Sequence, residues 1–403
     1  MDLDARIYIA GHRGLVGSAL LRGLQREGYR NLIIRTHAEL DLEHQPAVAA
    51  FFADERPEYV FLAAAKVGGI LANATQPVDF LLSNLRIAIN VIEASWQHAV
   101  AGLLFLGSSC IYPRLAPQPL KEEYVLAGLL ETTNEPYALA KLAGLELCEA
   151  YNRQYGTRFL NIMPTNLYGP NDHYDLTTSH VLPALIRKFH LGKLAAARNW
   201  TAVAADEAVH GSVPADFRAG LETAPKTGQF PAETATAGGL EQSNGPVVRL
   251  WGTGSPRREF LFSDDLADAC IFLMNHLDDL FAAPSAPSEM HHQAGNIGSA
   301  PSSPPRRRPA PPLARLKEPH ALAARHLINV GSGEDLTIRE LAAMVARIVG
   351  FRGPVEWDAN KPDGTPRKLL DPTRILQLGW KPKTGLEDGI HLAYQDYLNR
   401  GRS

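Results

Sequence analysis

Cysteine, long apolar runs and an excess of one sign of charge are all scarce in this sequence of 403 residues. Its three cysteines, Cys110, Cys148 and Cys270, are too few and too scattered for a disulfide framework or a cysteine-rich zinc site, and we predict no metal centre. No apolar run approaches membrane-spanning length and no signal-peptide pattern opens the chain, so we expect a cytoplasmic protein with no membrane partner. The formal net charge of -3 argues against a nucleic-acid partner and leaves a small molecule as the expected ligand.

What the sequence does contain is a repeated alternation of short apolar runs with helix-like stretches. The pattern predicts strands at residues 6–10, 32–35, 59–64, 103–106 and 159–163, and helices at 15–27, 46–54, 78–96 and 137–155. Alternation of this kind builds βαβ units, so we predict an α/β fold with a Rossmann-type, doubly wound parallel sheet. Cys148 and Cys270 fall in helix-like segments and are expected to be small buried apolar residues.

The C-terminal half is predicted to differ from this pattern. We expect residues 1–180 to form the nucleotide-binding domain, with some later segments returning to it, and residues 181–403 to form mainly a smaller α/β substrate domain. Residues 258–275, 327–331, 337–349 and 386–398 are predicted to build that smaller domain. Residues 195–245 show little periodicity, and residues 282–325, with a run of three arginines at 306–308, are rich in Pro, Ser and Ala. Both segments are therefore predicted to be low-complexity insertions.

A glycine pattern follows the first predicted strand and opens the first predicted helix. Gly11, Gly14 and Gly17 form GxxGxxG, the spacing typical of extended short-chain dehydrogenases. Residues without a β-carbon let the backbone approach a pyrophosphate at the helix N-terminus, and the last glycine allows the helix to pack closely on the sheet. The motif predicts a bound dinucleotide.

The end of the second predicted strand indicates which dinucleotide is bound. An NAD-selective protein would place an acidic residue there, whereas this sequence has Arg35. Together with Arg13 in the glycine loop, Arg35 can bind a 2′-phosphate, so we predict NADPH as the cofactor.

A tyrosine and a lysine four residues apart lie near the start of a predicted helix. The i, i+4 spacing puts Tyr137 and Lys141 on one face, where the ammonium is expected to lower the pKa of the phenol. Ser108 follows the fourth predicted strand, at the edge of the sheet where ligands bind, and can hydrogen-bond the same carbonyl oxygen that Tyr137 protonates. These three residues predict reduction or oxidation at a carbonyl carbon.

Segments over nearly the whole chain resemble the GDP-L-fucose synthase family, whose members are GDP-4-keto-6-deoxy-D-mannose 3,5-epimerase-4-reductases. The similar segments are AGHRGLVGSA, LAAAKVGGI, FLGSSCIYP, TNEPYALAK, MPTNLYGP, WGTG with RREF, and KPDGTPRKLLD. The resemblance implies NADPH-dependent reduction of this nucleotide sugar by a homodimer. It also implies that Cys110 and His180 are the acid and base pair that epimerises C3 and C5.

The same resemblance implies two sets of binding residues. The cofactor set is Gly11, His12, Arg13, Gly14, Leu15, Val16, Gly17, Arg35, His37, Asp41, Leu42, Leu106, Gly107, Ser108, Ser109, Lys141, Pro164, Thr165, Asn166, Leu167 and His180. The substrate set is Lys188, Trp251, Arg258, Asp363 and Lys368. His37 departs from the family, which tends to have arginine there, and this leaves Arg13 and Arg35 to bind the 2′-phosphate. The two insertions also depart from it, and they fit flexible lids, loops far from the site, or untranslated sequence retained in the gene model.

Two other functions share part of this pattern. A redox-neutral nucleotide-sugar 4-epimerase or a different 4-ketohexose reductase would also carry the glycine loop, Tyr137 and Lys141, but Cys110 and His180 argue against it. A non-catalytic NADPH-binding regulator typically lacks the tyrosine or the lysine, and both are present.

Overall fold

Helices and strands alternate along most of this chain, whose computed structural model describes residues 1–222, 246–282, 326–361 and 363–400. The strands are β1 (Ile7–Ala10), β2 (Leu32–Ile33), β3 (Tyr59–Leu62), β4 (Gly102–Leu106), β5 (Phe159–Pro164), β6 (Asn166–Tyr168), β7 (Val248–Trp251), β8 (Arg257–Phe262), β9 (Leu327–Val330), β10 (Asp335–Thr337), β11 (Val355–Asp358) and β12 (Arg367–Lys368). The helices are α1 (Leu15–Arg26), α2 (Gln45–Glu55), α3 (Ile70–Thr75), α4 (Pro77–Gln97), α5 (Glu135–Tyr155), α6 (Val181–Ala196), α7 (Trp200–His210), α8 (Ala215–Glu222), α9 (Ser263–Asn275), α10 (Leu277–Phe281), α11 (Ile338–Val349), α12 (Thr373–Gln377) and α13 (Leu386–Arg400). None of these helices is long and apolar enough to cross a membrane.

The main sheet has six parallel strands in the order β2-β1-β3-β4-β5-β9, which confirms the predicted doubly wound α/β fold. Because β1 has β2 on one side and β3 on the other, the chain reverses its direction of winding there, and a crevice opens at the carboxyl ends of the strands. The second strand is shorter than the predicted 32–35, since only Leu32 and Ile33 pair with β1.

Helices cover both faces of this sheet, which explains why its strands read as continuous apolar runs. Alternate residues of β4 point to opposite sides: Leu104 and Leu106 pack in the core under α1 and α9, and Leu103 and Phe105 pack in the core under α2, α4 and α5. Cys270 lies in the first of these cores and Cys148 in the second. Both are completely buried, as predicted for small apolar residues.

The C-terminal part of the chain builds a second core from α6, α11, α13 and the short strands beside them. Strands β6, β10 and β12 all pair with β8, and β7 pairs with β11. Two segments predicted for this region lie elsewhere: β9 pairs with β5 in the main sheet, and α9 packs against α1. The reason is burial, because both segments are apolar on the side that completes the first core. The domain boundary near residue 180 stays a prediction.

The prediction that residues 195–245 lack regular structure is wrong for their first half. Helix α6 continues to Ala196, and α7 and α8 follow it and pack against it. Only a few apolar side chains of α7 and α8 are buried, among them Val203, Phe217 and Leu221, so no strong apolar period marks these helices in the sequence. The rest of that segment, from 223, and residues 283–325 with the arginine run at 306–308 lie outside the described residues.

Candidate active site

The turn between β1 and α1 has two positions, Gly11 and Gly17, at which only glycine fits. Gly11 has φ +85°, and a β-carbon there would come 2.8 Å from the backbone nitrogen of Ala64, which follows β3. A β-carbon on Gly17 would overlap the carbonyl oxygen of Gly11. Beside this turn the Nδ1 atom of His12 is buried and has no hydrogen-bond partner among the described residues. A close backbone approach and a buried polar atom in need of a partner both fit a bound dinucleotide.

The predicted 2′-phosphate site is not assembled in this structure. The guanidinium of Arg35 forms an ion pair with Glu55, and Arg13 is exposed. Glu39, four residues after Arg35, accepts a hydrogen bond of 2.7 Å from the backbone N–H of Thr36, so a carboxylate lies next to the position where we predicted a 2′-phosphate site. His37 is exposed, and its Nδ1 atom lies 3.9 Å from the Oδ1 atom of Asp41. Leu42 is buried. Phosphate contacts by Arg13 and Arg35 stay a prediction.

Lys141 is buried on α5, where it is held against the end of β4. Its Nζ donates a hydrogen bond of 2.8 Å to the carbonyl oxygen of Leu106 and lies 5.9 Å from the centre of the Tyr137 ring. Burial lowers the pKa of Lys141 to about 8. Lys141 and Tyr137 therefore share one helix face, as their spacing predicts.

The phenol of Tyr137 does not show the predicted lowering. Burial raises the pKa of Tyr137, the nearby Cys110 raises it further, and only a hydrogen bond with Ser108 opposes this. The expected effect of the ammonium is wrong for this structure, because Lys141 is turned to the Leu106 carbonyl and is itself desolvated. Tyr137 is thus a protonated phenol, the form that gives a proton to a carbonyl oxygen.

Cys110 lies beside Ser108 and Tyr137, with its sulfur among hydrogen-bond donors. The Sγ atom is 3.0 Å from Nδ2 of Asn134 and 3.4 Å from Nζ of Lys368. Although burial raises the pKa of the Cys110 thiol, the Lys368 charge and hydrogen bonds from Ser108, Lys368 and Asn134 bring it below its ordinary value. A thiolate in this position can accept a proton from carbon.

His180 precedes α6, and the residue is partly exposed although protein atoms crowd around its ring. Loss of hydration in the cleft, with the charges of His173 and Lys368, lowers the pKa of His180. The charge of Lys368 acts on both His180 and Cys110. Cys110, Ser108, Tyr137 and Lys141 therefore form one group, contributed by two separate parts of the chain, and the place of His180 in that group stays a prediction.

Lys188 and Trp251, two members of the predicted substrate set, form a second group. The Nζ atom of Lys188 lies 5.9 Å from the Trp251 ring and 5.2 Å from the Phe217 ring, and donates a 3.3 Å hydrogen bond to the carbonyl oxygen of Arg249. Burial lowers the pKa of Lys188 to about 8. Trp251 stays 47% exposed, and Lys361 covers it with its Nζ 5.1 Å from the ring centre. A cation between aromatic rings beside an open tryptophan face suits an anionic ligand with a ring.

The other predicted substrate residues have partners within the chain. Asp363 accepts hydrogen bonds of 2.7 and 2.8 Å from the backbone and hydroxyl of Thr253, and so holds the turn after Trp251. Arg258 is near the charges of Cys110, Asp363 and Glu131, and its pKa is lowered by burial. The Nζ atom of Lys368 donates a hydrogen bond of 3.4 Å to the Cys110 sulfur. Direct substrate contacts by these residues stay predictions.

The remaining predicted cofactor residues line the carboxyl ends of β4 and β5. Asn166 donates a 2.8 Å hydrogen bond to the carbonyl oxygen of Glu259, and Thr165 donates one of 3.3 Å to the same atom. The buried carboxylate of Glu259 accepts hydrogen bonds from the backbones of Gly333 and Leu370 at 2.7 and 3.0 Å, which joins this edge to the segment of Lys368. The other members of the set around these ends are Gly107, Ser109, Pro164 and Leu167, and those in the glycine turn are Gly14, Leu15 and Val16.

Four residues near the site were not predicted: Asn134, Glu259, Phe217 and Lys361. Asn134 stands in the segment TNEPYALAK, where its position suggests only a helix cap. Glu259 is an acidic residue inside an apolar strand, a conflict that could have marked it as functional or structural. Lys361 opens the segment KPDGTPRKLLD, so its one signal is that segment's resemblance to the family. Phe217 carries no local signal, because only the tertiary structure brings it to Lys188.

Comparisons with known proteins agree with this geometry. The model of the NAD dependent epimerase/dehydratase family matches residues 7–207 and 225–283. The chain is 44% identical over 397 residues to GDP-L-fucose synthase 1 of Arabidopsis thaliana, covering 98% of this chain and 94% of that protein. It is also 44% identical over 393 residues to the GDP-L-fucose synthase of Escherichia coli (strain K12), covering 98% and 96%. A solved structure of a GDP-D-glycero-L-gluco-heptose synthase from Campylobacter jejuni, obtained in the presence of NADPH, superposes with a TM-score of 0.76 at 37% identity, covering 99% of both chains.

Proposed function

The chain belongs to the NAD dependent epimerase/dehydratase family, and we propose that within it the protein is a GDP-L-fucose synthase. It converts GDP-4-keto-6-deoxy-D-mannose to GDP-L-fucose by epimerisation at C3 and C5 followed by reduction at C4. The enzyme is an oxidoreductase with epimerase activity, and its cofactor is NADPH.

One observation supports this function above the alternatives: an activated thiol adjoins a residue set suited to carbonyl reduction. Ser108 and Tyr137 can hydrogen-bond the C4 carbonyl oxygen, and the Cys110 sulfur lies beside both residues, since it hydrogen-bonds with Ser108 and its charge acts on Tyr137. A simple reductase needs no such thiol. An epimerase that inverts carbons next to the carbonyl needs a base for them.

For epimerisation we assign the base to Cys110 and the acid to His180. Removing the proton from C3 or C5 creates an enolate whose negative oxygen is stabilised by the hydroxyls of Ser108 and Tyr137. The Cys110 thiolate accepts that proton and becomes a thiol, while protonated His180 gives a proton to the opposite face of the same carbon. Negative charge on the bound nucleotide sugar favours the protonated form of His180, which its surroundings alone disfavour.

For reduction the proton comes from Tyr137. NADPH supplies the hydride when it is bound. As the C4 oxygen gains negative charge, the Tyr137 hydroxyl transfers its proton to it. The Lys141 ammonium does not lower the pKa of Tyr137 in this structure, but it lies 5.9 Å from the centre of the ring and would stabilise the phenolate once that anion forms. The glycine turn at Gly11–Gly17 and the buried Nδ1 atom of His12 would hold the pyrophosphate of the cofactor. Lys188 and Trp251 would hold the GDP part of the substrate.

The test uses the purified protein with NADPH and GDP-4-keto-6-deoxy-D-mannose in deuterated water. We expect loss of the reduced-nicotinamide absorbance, one NADPH for each GDP-L-fucose, with deuterium incorporated at C3 and C5. A different 4-keto reductase is the second candidate, because the similar Campylobacter jejuni structure is a heptose synthase. That activity would consume NADPH without deuterium at both carbons. If NADPH is not consumed, the proposed function is wrong, and a redox-neutral epimerase or a non-catalytic regulator is the function to test next.

We also propose that the enzyme is a cytoplasmic homodimer. Val78, Leu82 and Ile89 project from one face of α4, and Leu139 projects from the adjoining α5; all four are exposed. Exposed apolar side chains grouped on adjoining helices in this way favour association with a second copy. All three cysteines are free thiols, which suits a reducing compartment.

A further inference from the structure

Asn134 occupies the position before α5 where an asparagine ordinarily caps a helix, yet its side chain makes no capping hydrogen bond. Pro136, in the first turn of that helix, has no N–H group to offer such a cap. Instead the Nδ2 atom of Asn134 donates a hydrogen bond of 3.0 Å to the sulfur of Cys110. The side chain has therefore turned from its usual local role toward the thiol.

The other end of the same amide is unsatisfied. The Oδ1 atom of Asn134 is buried and has no hydrogen-bond partner among the described residues. A buried acceptor without a partner lowers the stability of a folded protein, so this arrangement has a cost that no local contact offsets. Such local conflicts are expected at functional sites.

We propose that Asn134 is a positioning residue that donates a hydrogen bond to the Cys110 thiolate and aims the sulfur at the carbon that loses its proton, an inference that rests on the function proposed above. Because Asn134 stands three residues before Tyr137, it links the sulfur to the helix that carries the proton donor for the carbonyl. The Cys110 sulfur and the Tyr137 hydroxyl thereby keep the same relative position while the substrate passes from epimerisation to reduction.

The amide complements the charged groups around the sulfur. Lys368 from β12 and Arg258 from β8 provide positive charge, whereas Ser108 and Tyr137 provide hydroxyl groups. An amide N–H carries no titratable proton, so it favours the thiolate at every pH without competing for the proton that Cys110 removes. Its loss should therefore shift the titration of the thiol.

The test measures the rate at which iodoacetamide alkylates Cys110 as a function of pH. Mass spectrometry of the Cys110 peptide gives the rate, and Cys110→Ser gives the blank; Cys148 and Cys270 are fully buried. Asn134→Ala removes the donor. Asn134→Asp keeps the shape but replaces the N–H with a carboxylate, and Thr132→Ala, an exposed residue two positions earlier, is the matched control. Thermal unfolding establishes that each variant is folded.

We expect alkylation at pH 7 to slow about tenfold in Asn134→Ala, the effect of a pKa rise of about one unit, and at least as much in Asn134→Asp. Deuterium exchange at C3 and C5 should fall in parallel, while the dissociation constant for NADPH and the KM for the nucleotide sugar stay near the values of the unaltered enzyme. Unchanged alkylation in both variants would overturn the proposal, as would slowing in Asn134→Ala with recovery in Asn134→Asp, which would indicate a merely space-filling side chain. If the unaltered enzyme exchanges no deuterium but alkylation still depends on Asn134, the proposed epimerase function fails and the hydrogen bond to the thiolate stands.

Discussion

The Cys110 sulfur is subject to opposing influences on its proton. Burial alone would favour the neutral thiol, but Lys368, Ser108 and Asn134 surround the sulfur and lower its pKa. The same burial keeps Tyr137 protonated. One small volume thus contains a group prepared to take a proton and another prepared to give one, which is what epimerisation followed by reduction requires.

Cys110→Ser should separate the two halves of the reaction. Serine keeps the shape of the side chain, but its hydroxyl is a far weaker acid than a thiol, so no anionic base forms. We expect deuterium incorporation at C3 and C5 to fall by roughly two to four orders of magnitude, the usual worth of a general base. Binding of NADPH, measured by fluorescence titration, should be nearly unchanged. Tyr137→Phe should instead abolish NADPH oxidation, and normal exchange in Cys110→Ser would refute the role given to the thiol.

The reduction step should depend on the protonation of Lys141. Burial lowers the pKa of Lys141 to about 8, so the side chain is cationic below that pH and neutral above it. The ammonium stabilises the Tyr137 phenolate that forms as C4 is reduced, and therefore the single-turnover rate of NADPH oxidation should decline as pH rises above 8. By about pH 9 the loss should be roughly tenfold. Lys141→Arg, which stays charged, should remove this decline, and a flat profile in the unaltered enzyme would contradict the assignment.

At the scale of single elements, the turn from β1 to α1 could be predicted from the sequence, whereas helix α7 could not. The turn depends on missing β-carbons at Gly11 and Gly17, and three glycines at set spacing are visible in the sequence. Helix α7 depends on a buried ion pair that the sequence does not display. Arg187 of α6 is completely buried and its Nε lies 2.8 Å from the carboxylate of Asp206 on α7.

Asp206→Asn should strongly destabilise the protein, because the Arg187 charge would remain buried without its carboxylate. Removal of one partner of a buried pair costs about 3–5 kcal/mol, and urea unfolding followed by circular dichroism would measure it. The control is Glu222→Gln, which alters an exposed ion pair with Arg218 at 4.0 Å and should change the free energy of unfolding by less than about 1 kcal/mol. Equal effects of the two substitutions would show that the buried pair is not what holds α7 in place.

At the scale of the whole molecule, we propose that the exposed α4 face forms the dimer interface. Leu82 is 42% exposed between Val78 and Ile89 on that face. Leu82→Arg would place a charge in the proposed interface, so we expect sedimentation velocity to show a monomer where the unaltered protein is a dimer. Leu392→Arg, at a site 50% exposed on α13, is the control and should remain dimeric. A Leu82→Arg dimer would place the interface on another surface.

Much of the fold could be predicted because its determinants are local. The apolar periodicity located α1, α2, α4 and α5 to within two residues at each end, and the glycine pattern located the turn between β1 and α1. The site was predictable only in part. Tyr137 and Lys141 lie on one helix, and their spacing of four residues shows that they share a face. The direction of the Tyr137 pKa shift depends instead on burial, which the spacing does not show.

By itself the sequence determined the doubly wound sheet, its glycine cradle and the residue types of the catalytic group, since apolar period and missing β-carbons act over a few residues. Only the tertiary structure decided which groups meet at the sulfur. Lys368 approaches Cys110 across a separation of 258 residues, and Asn134 across 24. The reason is that the pairing of β12 with β8 and the packing of α5 beside β4 and β5 set those distances, and burial there, rather than residue type, sets the protonation of each group.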